Sequence, residues 1–319
     1  MSKRPGGPLA GPKTPSRSQL FPVFSNWQAM QQKAYLVPAI ATVACMVSLF
    51  GTVGSTYYFF VLGLYLTAAG YYFIYSLCGK YKPWWLLLAT ALATGALLMS
   101  PLFSAFIFIF REILPGNPPR GDDANFLAQL VGMFFGAGLL EELFKALPVF
   151  ALYFLGTQLR SPWRERIGVW EPLDGILLGA ASAAGFTFLE TMFQYVPEIA
   201  AKVAAKAGAG AGYFVGLQLL IPRIIGSVSG HMAYSGYLGY FIGLSVLKPE
   251  SRWQILGIGY LTASVLHALW NSVVYLHPLM AFWILDLEVR RRAPEWRRAY
   301  HLCLAFLPIF LGFLWSSLA

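Results

Sequence analysis

Seven side chains able to move protons or donate hydrogen bonds stand inside stretches otherwise made of leucine, alanine, phenylalanine and glycine. They are Glu141, Glu142 and Lys145 in GLLEELFKALPVF, then Glu190, His231, and His267 with Asn271. An ionisable group at bilayer depth costs about 2.5–3.5 kcal/mol on insertion scales, so such groups face a cavity or one another and mark function. Residues three or four apart share a helix face, which groups Lys145 with Glu141 and Glu142, His231 with Ser235, and His267 with Asn271. Carboxylates and imidazoles converging at low dielectric activate water in one of two ways: directly, through a glutamate base, or on a divalent metal. A zinc site wants three protein ligands and an open position, and Glu190, His231 and His267 can supply the three. Glu141 or Glu142 is then the general base, Lys145 keeps the other carboxylate ionised, and Asn271 is a candidate donor to a developing oxyanion. Both routes end in hydrolysis.

The rest of the chain has to position these groups. Of its 319 residues 57% are hydrophobic and 12% charged, with a mean hydropathy of +0.59, whereas soluble domains carry about 25% charge. That excludes an ordinary soluble enzyme. A helix crosses the hydrocarbon core with about 20 apolar residues, and such runs occur at 35–52, 57–77, 84–111, 125–155, 173–196, 223–247, 253–276 and 299–318. The expectation is an all-α polytopic membrane protein, a bundle of about eight transmembrane helices in which a core of four to five carries the polar residues. Residues 201–222, weakly amphipathic and closed by Pro222, suit an interfacial or re-entrant piece. GILLG (Gly175, Gly179), GSVSG (Gly226, Gly230) and GYFIG (Gly239, Gly243) are small-residue patterns that let backbones approach closely.

Residues 1–34 carry Lys3, Arg4, Lys13, Arg17 and Lys33 with no acidic residue and read as a basic disordered tail; 35–319 read as one transmembrane domain with a motif-bearing core at 125–276. Placing the N-terminus in the cytoplasm of a multi-pass cell-membrane protein puts the tail, Lys80, Lys82, Arg160, Arg164, Arg166, Lys248 and Arg252 inside, and Asp122 and Asp123 outside. The cluster Arg290 to Arg298 opposes that choice. In this orientation Glu190, His231 and His267 fall in the outer half of the bilayer and Glu141 and Glu142 near its middle, as a single site opening outward. The net charge of +9 sits in the tail and the late arginines, where it sets topology and meets anionic headgroups rather than nucleic acid. Cys45, Cys78 and Cys303 lack metal or redox spacing and read as packing thiols. Arg223 beside Pro222 reads as a charge snorkelling to the outer surface, Asp174 as a complement to its helix dipole, and His277 and His301 as interfacial; all four stay outside the site.

EELFK (Glu141 to Lys145), DGILLGAASAAGFTFLE (Asp174 to Glu190), HMAYSGYLG (His231 to Gly239) and HALWN (His267 to Asn271), in that order, resemble the PrsW family of intramembrane proteases, whose motifs are EExxK, FxxxE and two later histidines. The resemblance implies a place in the clan that includes the prenyl-CAAX endopeptidases. Those enzymes carry EExxxR and FxxxH; Lys145 and Glu190 depart from that pattern and point to PrsW. The resemblance further implies a membrane-anchored protein substrate such as an anti-sigma factor, cut at site 1 in its extracytoplasmic part. It also implies either a metalloprotease or a metal-free glutamate and histidine mechanism. HExxH and GxGD are missing, and Ser229 in GSVSG lacks the GxSG frame of a rhomboid serine. Two other classes use buried Glu and His: a transporter or proton relay, for which no internal repeat is evident, and a non-catalytic membrane scaffold.

Overall fold

The computed structural model describes residues 36–53, 56–119 and 125–273. The basic tail, Asp122 and Asp123, His277 and His301, Cys303, the Arg290 to Arg298 cluster and the expected last span lie outside the described residues. Helix α1 (Leu36–Thr52) forms a unit of its own. It is apolar on all sides, with Val43, Val47 and Phe50 exposed, as expected of a helix meant for lipid.

The second unit is helical throughout, with no strand among the described residues. Its helices are α2 (Thr56–Cys78), α3 (Trp84–Leu98), α4 (Pro101–Ile107), α5 (Phe126–Met133), α6 (Leu140–Gln158), α7 (Trp163–Ile167), α8 (Pro172–Glu190), α9 (Val196–Ala207), α10 (Ala209–Gly226), α11 (His231–Leu247) and α12 (Arg252–Ser272). Four stretches are long and apolar enough to cross a membrane: Tyr57–Cys78, Phe126–Gln158, Pro172–Ala207 and Ala209–Leu247. A fifth is the pair Trp84–Leu98 and Pro101–Ile113, bent by 66°. The sequence suggested a single span there. The break follows from Pro101, which forces Ser100 into an extended conformation (φ −92°, ψ 159°) and ends α3.

Helix α8 is the hub, packing against α2, α3, α6 and α11. It can do so because its inner faces are small. A Cβ on Gly175 would lie 1.8 Å from the Gly239 carbonyl oxygen, and one on Gly179 2.2 Å from that of Ser235. GILLG and GYFIG therefore meet backbone to backbone across α8 and α11, whereas GSVSG forms the turn between α10 and α11. Residues 201–222, expected as an interfacial or re-entrant piece, lie in a helical hairpin of α9 and α10. Gly208 turns the chain at φ 89°, and α10 runs on through Pro222. The hairpin is held by an apolar cluster of Met192, Val196, Ile199, Leu219, Leu220 and Ile224.

Where α2 turns into α3, Lys82 and Asp174 are both fully buried, 3.2 Å apart. Lys82 Nζ also donates to the carbonyls of Glu165 (2.8 Å) and Gly168 (2.7 Å), Lys80 Nζ lies 2.7 Å from Asp174 Oδ1, and the Trp170 N–H donates to Asp174 Oδ2 at 2.9 Å. Asp174 thus fastens the 159–171 connection to the α2–α3 turn, a role its position at a helix start did not reveal. Burial lowers the Lys82 pKa. It acts the same way on Lys80, but the hydrogen bonds and charges of Asp174 and Glu171 outweigh it and leave that pKa raised. An apolar groove of about 740 Å³ runs between α2, α3 and α8 past Leu87, Ala91, Ala184 and Phe188, and none of the seven polar residues lines it.

Candidate active site

Among the described residues three turns of π-helix interrupt the bundle: Phe108–Ile113, Phe134–Leu139 and Thr191–Tyr195. Two adjoin the polar residues, the second leading into Glu141 and the third following Glu190. Such turns insert a residue into an α-helix and free carbonyls from its ladder. The freed groups are taken up here: the Gly136 carbonyl accepts Arg111 Nε (3.3 Å) and Nη2 (3.1 Å), and that of Leu139 accepts the Tyr260 hydroxyl (2.8 Å). Gly138 lets α12 come close, since a Cβ there would lie 2.3 Å from the Ser264 carbonyl oxygen. Glu142 follows Gly138 by one turn and His267 follows Ser264 by one turn, so this contact sets the two side chains against each other.

Glu142 is fully buried and both of its oxygens are hydrogen-bonded. Its Oε1 accepts from Lys145 Nζ at 2.7 Å and from His267 Nδ1 at 2.9 Å, and its Oε2 accepts from Ser235 Oγ at 2.7 Å. Lys145 Nζ also donates to His231 Nδ1 at 3.1 Å and sits over the Phe186 ring at 5.1 Å. Behind them, Thr94 Oγ1 and Ser182 Oγ pair at 2.7 Å, and Ser182 donates to the Lys145 carbonyl at 2.6 Å, tying α3, α8 and α6 together. The His231 and His267 rings stand perpendicular, with centroids 4.9 Å apart, and Tyr234 stacks on His267 at 5.5 Å.

Glu141 differs from its neighbour. Its Oε2 is buried without a hydrogen-bond partner and lies 3.8 Å from His231 Nδ1, 3.8 Å from His267 Nε2 and 3.9 Å from Lys145 Nζ. His267 Nε2 is also buried without a partner. Because His267 donates from Nδ1 to Glu142, its Nε2 carries a lone pair, and because His231 accepts from Lys145, its Nδ1 does too. Two unpartnered acceptors, Glu141 Oε2 and His267 Nε2, therefore face one gap beside the Lys145-bonded His231 ring, and one ligand atom from each of the three residues lies within 4.8 Å of the others. Acceptors so placed call for something positive or proton-bearing between them, either water or a cation. One carboxylate and two imidazoles make the donor set of a catalytic zinc, which would hold them about 3.3 Å apart at bond lengths of about 2.0–2.1 Å. The set fits after a small closure and release of Lys145 from His231.

Five of the seven residues singled out in the sequence thus meet: Glu141, Glu142, Lys145, His231 and His267. Glu190 stands at the outer edge of the cluster, its Oε2 2.6 Å from Arg223 Nη2 and 3.9 Å from His231 Nε2. Asn271 lies one turn beyond His267, half-buried, and among the described residues makes no hydrogen bond to the cluster. Ser235 and Arg223 were missed. The one-turn spacing of His231 and Ser235 was visible as a shared face, but nothing in the sequence tied that face to Glu142.

Apolar helices closed around a buried carboxylate, two imidazoles and an ammonium make this a multi-span membrane protein with an acid–base centre inside its bundle. The chain belongs to the PrsW family: the family described as "PrsW family intramembrane metalloprotease" matches residues 82–287, which hold all seven polar residues. Protease PrsW of Shouchella clausii (strain KSM-K16) is 24% identical over 181 residues, 56% of this chain and 66% of that protein. Protease PrsW of Halalkalibacterium halodurans is 23% identical over 57% of this chain and 67% of its own length; that of Oceanobacillus iheyensis is 22% identical over 67% and 86%. The chain thus spans just under two thirds of the Shouchella clausii protein. No solved structure matches the chain.

Proposed function

We propose that the protein is an intramembrane endopeptidase that hydrolyses a peptide bond in a membrane-anchored protein, such as an anti-sigma factor, at a site in the outer half of the cell membrane. The observation that supports this most directly is the gap faced by Glu141 Oε2, His231 Nδ1 and His267 Nε2, beside a second glutamate whose oxygens are all taken. Family membership supports the reaction class.

In this scheme Glu141 is the base. A water in the gap gives its proton to Glu141 Oε2 while its oxygen forms a bond to the peptide carbonyl carbon; the proton then passes to the amide nitrogen as the C–N bond breaks. Glu142 anchors, holding Lys145 and orienting His267 with its lone pair towards the water. Lys145 is the cation nearest the developing oxyanion, with the Asn271 amide a candidate second donor. Where a zinc ion is used, Glu141, His231 and His267 would hold it, and the ion would supply an acidified water. Glu190 then serves as an outer partner of His231 Nε2 instead of a ligand. The N-terminus lies in the cytoplasm.

The test is cleavage in proteoliposomes holding the protein and a membrane-anchored anti-sigma factor. A new extracytoplasmic fragment, absent when Glu141→Gln replaces wild type, is expected. Proton flux without any fragment would instead support an ion relay.

A further inference from the structure

Arg223 is a half-buried cation that the proposed chemistry leaves unused. Its side chain is 19% exposed, and its contacts converge on one short stretch of chain. Nη2 lies 2.6 Å from Glu190 Oε2, Nε donates to Thr191 Oγ1 at 3.1 Å, and the guanidinium covers the Tyr195 ring at 4.0 Å. Thr191 and Tyr195 are the two ends of the π turn that follows Glu190. A planar guanidinium makes several such contacts at once in a fixed geometry, which the point charge of a lysine does not. Arg223 belongs to the α9–α10 hairpin, so the hairpin grips the end of α8 at the residue that faces His231.

That residue has a definite task. Lys145 donates to His231 Nδ1, so a neutral His231 ring carries its proton on Nε2. Glu190 Oε2 is the carboxylate oxygen that faces that side, 3.9 Å away and so beside the ring edge without a direct hydrogen bond. A carboxylate behind a histidine fixes its tautomer and ring orientation, and such outer partners commonly matter about 10–100-fold. We infer that Arg223 is a positioning residue: it holds Glu190 beside the Nε2 edge of His231 and thereby keeps the ring turned with Nδ1 towards Lys145 and the gap between Glu141 and His267. The kinetic consequence rests on the proposed hydrolysis; the orientation of His231 does not.

Two readouts separate these layers. Side-chain nitrogen NMR of histidine-labelled protein in liposomes, with His231 assigned by its loss in His231→Gln, is expected to show one tautomer, protonated at Nε2. Arg223→Gln should shift the His231 nitrogen resonances as the carboxylate beside Nε2 moves away, and Arg223→Lys should shift them part-way. In the cleavage assay Arg223→Gln should lower kcat about 10–100-fold with KM unchanged, and adding it to Glu190→Gln should cost nothing more, as expected of residues acting in series. The exchange Glu190→Arg with Arg223→Glu restores an ion pair, so thermal stability should recover while cleavage does not. A wild-type His231 spectrum in Arg223→Gln, or full cleavage by the exchanged pair, would overturn the inference by leaving Arg223 a purely structural role. If the wild type cleaves nothing, the proteolytic reading fails, and the His231 spectrum still decides for or against Arg223.

Discussion

Adjacent residues on an α-helix point about 100° apart, so Glu141 and Glu142 meet different surroundings although the sequence presents them as a pair. Glu142 collects three hydrogen bonds from Lys145, His267 and Ser235, and breaking a buried pair strands the remaining charge at a cost of about 3–5 kcal/mol. Glu142→Gln should therefore lower the thermal unfolding temperature strongly as well as abolish cleavage. Glu141→Gln should abolish cleavage and leave that temperature unchanged. Ser235→Ala should cost about 1–3 kcal/mol in the same unfolding measurement, because Glu142 Oε2 loses its donor in a buried place. The ligand set can be tested by titrating purified protein with zinc: Glu141→Gln and His267→Ala should lose binding, and Glu190→Gln should retain most of it. That these residues would gather was legible in the sequence for five of the seven, because charge inside apolar runs is conspicuous. How they divide the work was not, since helical spacing gives faces within one helix and says nothing about which acceptor the next helix satisfies. Arg223 went unrecognised for that reason: its partners, Glu190 and Thr191, lie on another helix.

The helices follow from the apolar runs, but their interruptions do not follow equally well. The break in the 84–111 run, read as one span, had a signal in Pro101 through its effect on Ser100. The π turns carry no such signal, because an extra residue in a turn leaves hydrophobic periodicity nearly intact. They matter because Phe134–Leu139 sets the approach of α12. Gly138→Ala places a methyl group 2.3 Å from the Ser264 carbonyl oxygen and should push His267 away from Glu142. Cleavage should drop sharply with helix content by circular dichroism unchanged, while Gly257→Ala on α12, with open space around it, should behave as wild type. At the α2–α3 turn, Asp174→Asn should destabilise by about 3–5 kcal/mol by stranding Lys82, and adding Lys82→Met should recover much of it. Lys80 gives a pH test of known sign. Its folded pKa is raised, so its stabilisation is complete below the unfolded lysine value of about 10.4 and is lost as pH rises through the folded value. The gap in unfolding temperature between wild type and Lys80→Met should hold from neutral pH to about pH 10 and close above it.

On the scale of the whole molecule, composition alone placed the chain in a membrane and the order of its motifs placed it in the PrsW family, which the match over residues 82–287 shows. The count of crossings is less accessible: the described residues contain four stretches of sufficient length and apolarity, five with the bent pair, and the expected last span falls outside them. What the full fold adds is a reason for the centre to be where it is. Helix α8 offers its Ser182, Phe186 and Glu190 side to α6, α10 and α11, and its Ala181, Ala184 and Phe188 side to the groove with α2 and α3. The polar cluster and the apolar groove are thereby kept on different sides of one helix. The central claim, that the gap between Glu141, His231 and His267 is where a peptide bond is hydrolysed, is tested most directly by single-turnover cleavage of a membrane-anchored anti-sigma factor in proteoliposomes, comparing wild type with Glu141→Gln at matched thermal stability. Loss of the cleavage product with the fold intact is the expected result; equal cleavage by the two proteins would contradict it.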